Sequence, residues 1–378
     1  MTGMLDLPCE LLIQIFRDLG ADLKVYSAKE RQTDLARLAT VCRAFHAATI
    51  PLLYGDAVTC RSAGRTYLLD RSLLANPDLR PLVRTLVMKS ELDNGHVSSL
   101  TSTLQHTPSL ESLALASCFF EGDSGSSPLL PTLLSATHIQ HFAYGFGSRL
   151  DRLVAAQRIL PRWTQLRSLR LYRVDPQDLA LVHPAPTYRL EEFSIDNSGA
   201  LLPQNAHSCS LNDLLWLVGL PGALKSFSLA HLALQSDASK LVTHLFEQGH
   251  ATTLSRLTLR GIRPTLPLVK RTLLDPNDLG SLFPTLAYLE LADHDHDLGE
   301  HILEHPEPYF RIPTSLRTLV LHDPLDQYFF LLRSLERRRP PNLRNIKVIG
   351  AYPTSTHSRR LQSLCHDLAV AFEVERNF

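Results

Sequence analysis

The sequence predicts an α/β protein in which a small three-helix module is followed by a solenoid of parallel strands and covering helices. Apolar residues at helical spacing occupy residues 4–54, and we assign the module to that range. From residue 80 onward an apolar triplet recurs ten times, which predicts a repeat domain over residues 55–378. Amphipathic stretches between the copies predict helices on the convex side of the sheet.

The first predicted helix runs from Leu7 to Leu19. Pro8 suits the first turn, Glu10 favours the positive helix N-terminus, and Gly20 suits a left-handed C-terminal cap. The apolar side chains recur at i, i+4 and i+8 and so share one side of the helix: Leu11, Leu12, Ile15, Phe16 and Leu19. This stripe predicts the core of a small helical bundle.

Two more short helices are predicted after a polar stretch, residues 21–33. Asp34 suits the N-cap of the second helix, and the third covers residues 41–49 and is closed by Pro51. Residues 52–58 are expected to continue as an edge strand. A bundle of this size buries too little apolar surface to be robust alone, so we expect it to pack on a partner or on the following domain.

A Leu-Pro pair before the first helix and a Val-Cys-Arg segment ahead of an aromatic residue are features that a simple helical cap does not require. The features that match a known pattern are Leu7-Pro8, Glu10-Leu11, Ile15-Phe16, Leu19, Leu35, Leu38, Val41-Cys42-Arg43, Phe45 and Leu52-Leu53-Tyr54. Together these residues resemble an F-box.

An F-box docks on a Skp-type adaptor of cullin-RING ubiquitin ligases, so the resemblance implies such a partner here. The implied adaptor-binding residues are Leu7, Pro8, Leu11, Ile15, Leu38, Val41 and Cys42. The segment between the first two helices, residues 21–32, is longer than the family usually carries, which leaves the path of this loop open. The alternative is that residues 7–54 are only a helical cap on the repeat domain.

Composition limits the classes of partner. Lys plus Arg and Asp plus Glu number 38 each, so bulk charge favours neither nucleic acid nor an anionic membrane. We expect no membrane, because no stretch approaches the ~20 apolar residues of a span and no leader pattern occurs. The six cysteines lack zinc-like or disulfide-like spacing and are most simply buried, reduced thiols. These features predict a cytoplasmic or nuclear protein.

Each copy of the repeat has apolar residues at its first, fourth and sixth positions. Steps between copies run from 24 to 34 residues, and a proline before most copies marks the turn into the strand. The copies are Val83-Leu86-Met88, Leu110-Leu113-Leu115, Ile139-Phe142-Tyr144, Leu166-Leu169-Leu171, Leu190-Phe193-Ile195, Leu224-Phe227-Leu229, Leu254-Leu257-Leu259, Leu286-Leu289-Leu291, Leu316-Leu319-Leu321 and Leu343-Ile346-Val348. This spacing predicts a parallel sheet with a continuous apolar core.

The repeat pattern resembles leucine-rich repeats. Few copies carry the Asn or Cys that usually follows the strand in that family, although Cys118 matches. Irregular repeats behind an F-box resemble the F-box substrate receptors with leucine-rich repeats. The predicted convex-side helices cover residues 150–160, 211–217, 240–246, 328–335 and 361–370.

The residues between the apolar positions are expected to point out of the concave face. The early copies supply small side chains, whereas the middle and late copies supply Arg and Tyr, which dominate binding hot spots. The candidate target-binding residues are Arg170, Tyr172, Arg256, Arg260, Tyr288 and His322. For any one of these residues, an incidental side chain on a solvated sheet is the alternative.

Two segments resemble catalytic or metal-binding motifs. Gly122-Asp123-Ser124-Gly125-Ser126 resembles the nucleophile loop of trypsin-like proteases, but no β-barrel that would present a His and an Asp is predicted upstream. His294-Asp295-His296-Asp297, with His301 and His305, is the densest set of metal-ligand types, and a polar loop explains it equally well. No nucleotide-binding motif occurs either. We therefore expect no catalytic residue, resident metal or cofactor.

These observations predict a non-enzymatic protein that brings a protein target to a ubiquitin ligase. In this hypothesis the chain is the substrate-recognition subunit of an SCF-type ligase, with the module on the adaptor and the repeats on the target. The alternative is a stand-alone leucine-rich-repeat scaffold or inhibitor protein with a helical N-terminal cap. A hydrolase that uses Ser124 or the His294 segment has the weakest support.

Overall fold

A computed structural model places two compact units in the chain, unit 1 (residues 1–166) and unit 2 (residues 167–378). The predicted division between residues 54 and 55 stays a prediction. The structure describes residues 7–18, 28–88, 94–116, 129–145, 158–172, 186–197, 211–234, 244–245, 247–250, 252–260, 263–264, 283–292, 313–322, 335, 340–350 and 356–375.

Unit 1 contains three packed helices and then strands that alternate with helices. Its strands lie in the order β1-β2-β3-β4, and their neighbours pair in parallel. The elements are α1 (Cys9–Asp18), α2 (Ala28–Leu38), α3 (Arg43–Gly55), β1 (Val58–Cys60), α4 (Ala63–Ala75), a 3-10 helix (Pro77–Leu82), β2 (Thr85–Met88), α5 (Asn94–Gln105), β3 (Ser112–Ala116), α6 (Leu129–Ser135), β4 (His141–Gly145) and a 3-10 helix (Leu160–Arg162).

Unit 2 continues the alternation with strands in the order β5-β6-β7-β9-β11-β12-β13-β14, all paired in parallel. Two short strands, β8 and β10, form a separate parallel pair. The elements are β5 (Ser168–Tyr172), β6 (Glu192–Asp196), α7 (Leu211–Val218), β7 (Ser226–Ala230), β8 (Ala233–Leu234), β9 (Arg256–Arg260), β10 (Arg263–Pro264), β11 (Tyr288–Ala292), β12 (Thr318–His322), β13 (Asn345–Ile349), α8 (Thr356–Asp367) and β14 (Ala371–Glu375).

Every predicted copy of the repeat contains a strand, so the predicted fold class is confirmed. Three N-terminal helices are followed by parallel strands that alternate with helices, as in an α/β solenoid. Two strands lie outside the predicted copies. β1 precedes the first copy and pairs with β2, and β14 follows the last copy and pairs with β13.

The repeated apolar positions form the core of each unit. All of them are buried except Leu291, which is half-buried. Aromatic side chains also contribute to the core. The Trp163 ring meets Phe142 edge-on at 4.8 Å, and its indole N–H donates to the Leu133 carbonyl oxygen at 3.0 Å. This hydrogen bond satisfies the one polar group of a side chain with no exposed surface.

Hydrogen bonds at the start of the strands link successive repeats. The last residue before a strand and the first residue of that strand both donate their backbone N–H groups to the same carbonyl of the preceding repeat. Ser255 and Arg256, for example, both donate to the Lys225 carbonyl. In unit 2 a side chain adds a second link. Thr253 donates to the Leu224 carbonyl at 2.9 Å, and Thr285 donates to the Leu254 carbonyl at 3.0 Å. These bonds satisfy backbone groups that would otherwise be buried without a partner.

The second helix begins earlier than the sequence predicts. It starts at Ala28, and Asp34 lies in its interior, 3.4 Å from Arg37 on the next turn. The Ala-Lys-Glu-Arg-Gln run favours helix strongly enough to extend it toward the N-terminus. The predicted long loop over residues 21–32 is therefore partly helical, and residues 21–27 lie outside the described residues.

The third helix also continues past its predicted end. It covers Arg43–Gly55 with Pro51 in its interior, so the predicted strand over residues 52–58 is helical at first and extended only from Val58. An interior proline costs a helix about 3 kcal/mol. Leu52 is 5% exposed, and its burial contributes roughly 1.5–3 kcal/mol, which offsets most of that cost.

Two of the five predicted convex-side helices are described over most of their length, and both ranges contain an α-helix. α7 matches the prediction for residues 211–217. α8 overlaps the prediction for residues 361–370, but it begins earlier, at Thr356, and ends earlier, at Asp367. Residues 150–157 and most of residues 328–335 lie outside the described residues. No helix in the described part of the chain is both long and apolar enough to cross a membrane.

Gly219 follows α7 at a position that only glycine fits. Its φ is +78°, and an added Cβ would lie 2.7 Å from two ring carbons of Tyr188 and 2.8 Å from the Tyr188 carbonyl oxygen. Tyr188 cannot move away because it is fully buried and its hydroxyl donates to the Leu217 carbonyl at 2.7 Å. We expect Gly219→Ala to lower the free energy of unfolding by about 2–4 kcal/mol, from backbone strain and overpacking together, as measured by urea denaturation.

Substitutions at two other glycines separate backbone strain from overpacking in the stability lost by Gly219→Ala. Gly222 has a φ of +93° with no atom within 4 Å of an added Cβ, so Gly222→Ala should show the strain alone, about 1 kcal/mol. Gly64 lies in α4 with equally open space, and Gly64→Ala should stabilise the chain by about 0.5–1 kcal/mol. Equal losses at Gly219 and Gly222 would contradict the role assigned to Tyr188.

Candidate functional site

The apolar stripe of α1 divides between the core and the surface. Leu12 and Phe16 are each 1% exposed, and the Phe16 ring meets Phe45 edge-on at 5.0 Å. Leu11 is 52% exposed and Ile15 is 37% exposed. The remaining buried core of the three helices consists of Leu35, Phe45, Ala48 and Leu52. Leu19 lies outside the described residues, and of the other four stripe residues the core of the bundle uses two.

The seven predicted adaptor-binding residues fall into two groups. Four of them are exposed, and we call this group the outer apolar set: Pro8, Leu11, Ile15 and Val41. Val41 is the most exposed of the large apolar residues in the set, at 62%. The other three are half-buried and pack against the core of the bundle: Leu7, Leu38 and Cys42. Cys42 also caps α3, since its sulfur accepts a hydrogen bond from the Phe45 N–H at 3.4 Å.

The outer apolar set lies where local structure fixes it. The Pro8 carbonyl accepts the Leu11 and Leu12 N–H groups at 3.0 and 3.1 Å and so starts α1. Leu11 and Ile15 are one turn apart on the same helix face. Val41 lies in the turn between α2 and α3, where its N–H donates to the Leu38 carbonyl at 3.1 Å. Exposed apolar side chains that gather on one surface are typical of sites that bind other proteins, whereas single ones are ordinary.

A second exposed apolar group lies on α4 and was not predicted. Tyr67, Leu68 and Leu74 are 56%, 58% and 50% exposed, while Leu69 and Leu73 on the same helix are buried. The sequence contained a signal for this surface. The apolar residues of α4 cover too wide an arc for one buried face, so some of them must lie outside.

Four of the six predicted target-binding residues lie together on the side of the unit 2 sheet opposite the apolar core, which we call the solvent-side face. Three of them, Tyr288, His322 and Arg260, surround Glu290, which is 7% exposed because the neighbouring side chains cover it. His322 Nε2 donates to Glu290 Oε1 at 3.0 Å, and the Tyr288 hydroxyl donates to Oε2 at 2.9 Å. We call Glu290, Tyr288, His322, Arg260 and Thr258 the Glu290 cluster.

Arg260 completes the charge balance of the Glu290 cluster. Its Nε lies 3.8 Å from Glu290 Oε1, and one of its terminal nitrogens lies 3.5 Å from Asp196 Oδ2. On the same strand as Arg260, Thr258 is the direct register partner of Glu290, and its Oγ1 lies 3.5 Å from Glu290 Oε2. The guanidinium therefore lies between two carboxylates, in a position that these buried charges require.

The pKa values in the cluster follow from these contacts. Burial alone would raise the pKa of Glu290, but hydrogen bonds from His322 and Tyr288 and the charge of Arg260 outweigh it and hold that pKa below its usual value. Burial and the Glu290 charge raise the pKa of Tyr288 to about 12. At neutral pH the carboxylate is thus ionised, and the phenol stays a hydrogen-bond donor.

Arg256 differs from the rest of the patch because its side chain is exposed. It stacks over the Tyr288 ring with its guanidinium carbon 4.0 Å from the ring centroid. Tyr288 is the direct partner of Arg256 in the register between β9 and β11. The ring and the guanidinium therefore hold each other in place above the sheet.

The remaining two predicted residues lie on β5, apart from the Glu290 cluster. Arg170 is exposed and pairs with Glu192 on β6 at 3.1 Å, so its charge is balanced within the sheet. Tyr172 is 38% exposed. Sequence reasoning named the solvent-side residues but missed the role of Glu290. The signal was available, since the repeat register puts an acidic residue diagonally beside Arg260 and His322.

The other chemical motifs give no site in the described part of the chain. Ser124 with its Gly-rich segment and the His294-Asp295-His296-Asp297 segment with His301 and His305 lie outside the described residues. Among the described residues, no group of three or more His, Cys, Asp or Glu side chains is placed to hold a metal ion.

The cysteines agree only in part with the expectation of buried thiols. Cys60 and Cys365 are buried, and burial raises the pKa of each thiol to about 11. Both therefore stay protonated and unreactive. Cys9 is exposed, so the prediction is wrong for this residue, which lies on the outer side of α1.

The comparisons with known proteins concern the N-terminal module. No curated protein matches the chain. A family model described as F-box-like matches residues 4–56. This range contains α1, α2 and α3 together with the outer apolar set. The three-helix module is therefore similar to an F-box, and the chain carries an F-box-like domain at residues 4–56.

Proposed function

We propose that the chain is a non-enzymatic substrate-recognition subunit of an SCF-type ubiquitin ligase. The F-box-like module binds a Skp-type adaptor, and through it a cullin-RING ligase. The repeats, which we assign to the leucine-rich class, hold a protein target. The observation that carries the proposal is the outer apolar set, because the bundle leaves these side chains exposed although it is short of buried apolar surface.

The chemistry of such a subunit is proximity. Holding a target near the conjugating enzyme raises the local concentration of its lysine side chains, and this needs no nucleophile or cofactor in the chain itself. The equal numbers of acidic and basic residues support a protein target rather than nucleic acid or a membrane. The proposed location is the cytoplasm, the nucleus or both, where Skp-type adaptors of the family act.

The second candidate function is a stand-alone leucine-rich-repeat scaffold or inhibitor with a helical cap. One observation favours it, since α2 is tied to the segment that leads into β1. Arg31 pairs with Asp56 at 3.0 Å, and the Gln32 side-chain amide donates to the Ala57 carbonyl at 2.7 Å. These contacts allow the module to cap the sheet. They leave the outer apolar set exposed, so capping and adaptor binding are compatible.

Adaptor binding is tested by co-purification of the full chain with a Skp-type adaptor. Leu11→Asp should reduce binding at least about tenfold, because it places a carboxylate in the centre of an apolar contact. Leu74→Asp is the matched control, since Leu74 is 50% exposed against 52% for Leu11 but lies outside the F-box-like match. It should bind the adaptor like the wild type.

Leu11 is a sharper test position than Leu7, which packs against the bundle core and would change stability as well as binding. Both aspartate variants should keep the wild-type circular dichroism spectrum, because both leucines are exposed. If the wild-type chain does not bind the adaptor, or if Leu11→Asp and Leu74→Asp behave alike, the scaffold function replaces the ligase function.

A further inference from the structure

Arg256 is the basic residue of the solvent-side face with no acidic partner among the described residues. The other basic residues of this face are paired: Arg170 with Glu192, Arg260 with Asp196 and Glu290, and Lys347 with Glu375. Among the described residues, the contacts of the Arg256 side chain are with Tyr288, and the side chain is exposed. Its positive charge is therefore available to a group from outside the chain.

The Glu290 cluster fixes the position of this charge. The hydroxyl of Tyr288 donates a hydrogen bond to the buried Glu290. The ring on which Arg256 stacks therefore cannot rotate freely. A guanidinium that is already stacked loses less conformational entropy on binding than a free one. Its planar fork of N–H donors fits the two oxygens of a carboxylate or a phosphate.

A floor of small hydroxyl side chains lies beside Arg256 on the same face. Ser226 is its direct partner on β7, and Ser228 on β7 pairs with Ser194 on β6. All three serines are half-buried. Glu192 and Asp196 flank this floor on β6, but each is paired with an arginine, so neither repels an acid at Arg256. The floor offers hydrogen bonds without a bulky side chain in the way.

Tyr172 bounds the floor at its far side. It is 38% exposed and lies on β5, three strands from Arg256 on β9. The register also places Tyr172 four positions further along the strands than Arg256, because the partners of Arg256 lead through Ser226 and Glu192 to Ser168. Three strand spacings of about 14 Å and four residues of about 13 Å combine to about 20 Å, which an extended peptide covers in about six residues. An exposed aromatic ring at one end and a free guanidinium at the other define the two ends of a binding site.

We propose that this face of unit 2 binds an extended acidic segment of the protein target, with an acidic group on Arg256 and an apolar side chain on Tyr172. The proposal rests on the proposed function, in which the repeats hold a protein target, and it specifies the chemical class of that target. The acidic group is a carboxylate or a phosphate. Arg260, Tyr288 and His322 position Arg256 through Glu290 and do not contact the target charge themselves.

The test is selection of a phage-displayed random dodecapeptide library on the full chain, followed by binding measurements with the selected peptides as synthetic compounds. The selected peptides should be enriched in Asp and Glu, and their affinity should fall with rising salt. Arg256→Ala should weaken them at least about tenfold, and Arg256→Lys less, because lysine keeps the charge but loses the planar fork. Arg359→Ala is the matched control, an exposed arginine on α8, and should change nothing.

Two further experiments show whether the acidic group is a carboxylate or a phosphate and test its contact with Arg256 directly. Replacing the critical Asp of a peptide by phosphoserine shows whether phosphate binds better than carboxylate. Exchanging charges, with Arg256→Glu in the chain and Asp→Lys in the peptide, should restore binding that either change alone removes. A library that yields no acid-enriched binder overturns the proposal, and so does a peptide that binds wild type and Arg256→Ala equally.

The adaptor assay keeps this test separate from the proposed function. Leu11→Asp should bind the selected peptides like the wild type, and Arg256→Ala should bind the adaptor like the wild type. If peptide binding depends on Arg256 while no adaptor binds, the acidic site stands and the ligase function fails. If the adaptor binds while the peptides ignore Arg256, the ligase function stands and the acidic site fails.

Discussion

Phe16→Ala is expected to unfold the N-terminal module, whereas Ile15→Ala, one residue away, is expected to leave it folded. Phe16 is 1% exposed and meets Phe45 edge-on at 5.0 Å, so its truncation should cost about 3–5 kcal/mol. A module whose buried core has six residues is itself stable by only a few kcal/mol. Ile15 is 37% exposed, and its truncation should cost less than about 1 kcal/mol.

Hydrogen exchange on the full chain measures this contrast. In Phe16→Ala the amides of α1 and α3 should lose their protection, while those of the unit 2 strands keep it. In Ile15→Ala the protection should match the wild type. Both variants should bind a Skp-type adaptor more weakly, the first because its module is unfolded and the second because a contact is missing. Comparable protection of α1 in the two variants would show that the core and surface sides of the helix are assigned wrongly.

The division of α1 shows what the sequence can and cannot predict about the module. Helical spacing identified the stripe of Leu11, Leu12, Ile15, Phe16 and Leu19, but in the structure Leu12 and Phe16 are buried whereas Leu11 and Ile15 are exposed. Their spacing does not state how wide the buried arc is. That width depends on how closely α3 packs on α1, which is a property of the folded bundle. The Leu-Pro resemblance, rather than periodicity, pointed to an interface.

The repeat domain was more predictable, because each strand is set by three local apolar positions and by the copy before it. The helix boundaries were less predictable. Pro51 was expected to end the third helix, but burial of Leu52 carries the helix four residues further. Ala28 begins a helix where a long loop was expected. In the first case packing outweighed the breaking effect of a proline, and in the second helix propensity outweighed the polar composition of the segment.

The solvent-side face shows a different limit. The register assigned Thr258, Glu290 and Val320 to this face, where the sequence predicts solvated side chains. In the structure they are 4%, 7% and 1% exposed. Long side chains on neighbouring strands, such as Tyr288 and Arg260, lie over them. A period of two predicts which face a residue takes, but coverage by neighbours depends on rotamers that the pattern does not contain.

This coverage changes the interpretation of the predicted target-binding patch. Six residues of suitable type were named from the sequence, but most of them are engaged within the chain. Arg170 and Arg260 pair with carboxylates, and Tyr288 and His322 donate to Glu290. Binding hot spots need polar groups that are positioned and yet available. Arg256 and Tyr172 meet that requirement. Arg260, Tyr288 and His322 instead contact Glu290 and so hold the ring on which Arg256 stacks.

Glu290→Gln is expected to destabilise unit 2 by about 2–4 kcal/mol at pH 7, because the amide keeps the shape of the side chain but loses the charge. Arg260 would then lie over a neutral group, and one of the two donors, Tyr288 or His322, would face an amide N–H₂ in place of a carboxylate oxygen. Glu192→Gln is the matched control. Glu192 is exposed, so losing its pair with Arg170 should cost less than about 1 kcal/mol.

The pH dependence of the stability that Glu290→Gln loses shows how much of that loss is electrostatic. The pKa of Glu290 is held below its usual value of 4.5 in the folded chain, so the unfolded chain takes up this proton first as the pH falls. The stability from the ionised form is thus fully present above about pH 4.5 and is lost as the pH falls through the lowered folded pKa. In urea denaturation between pH 7 and pH 3, the difference between wild type and Glu290→Gln should shrink toward the acid end. A difference that stays constant over this range would mean that the loss comes from the changed hydrogen bonds and not from the charge, and Arg256 would then lack the charged support assigned to it.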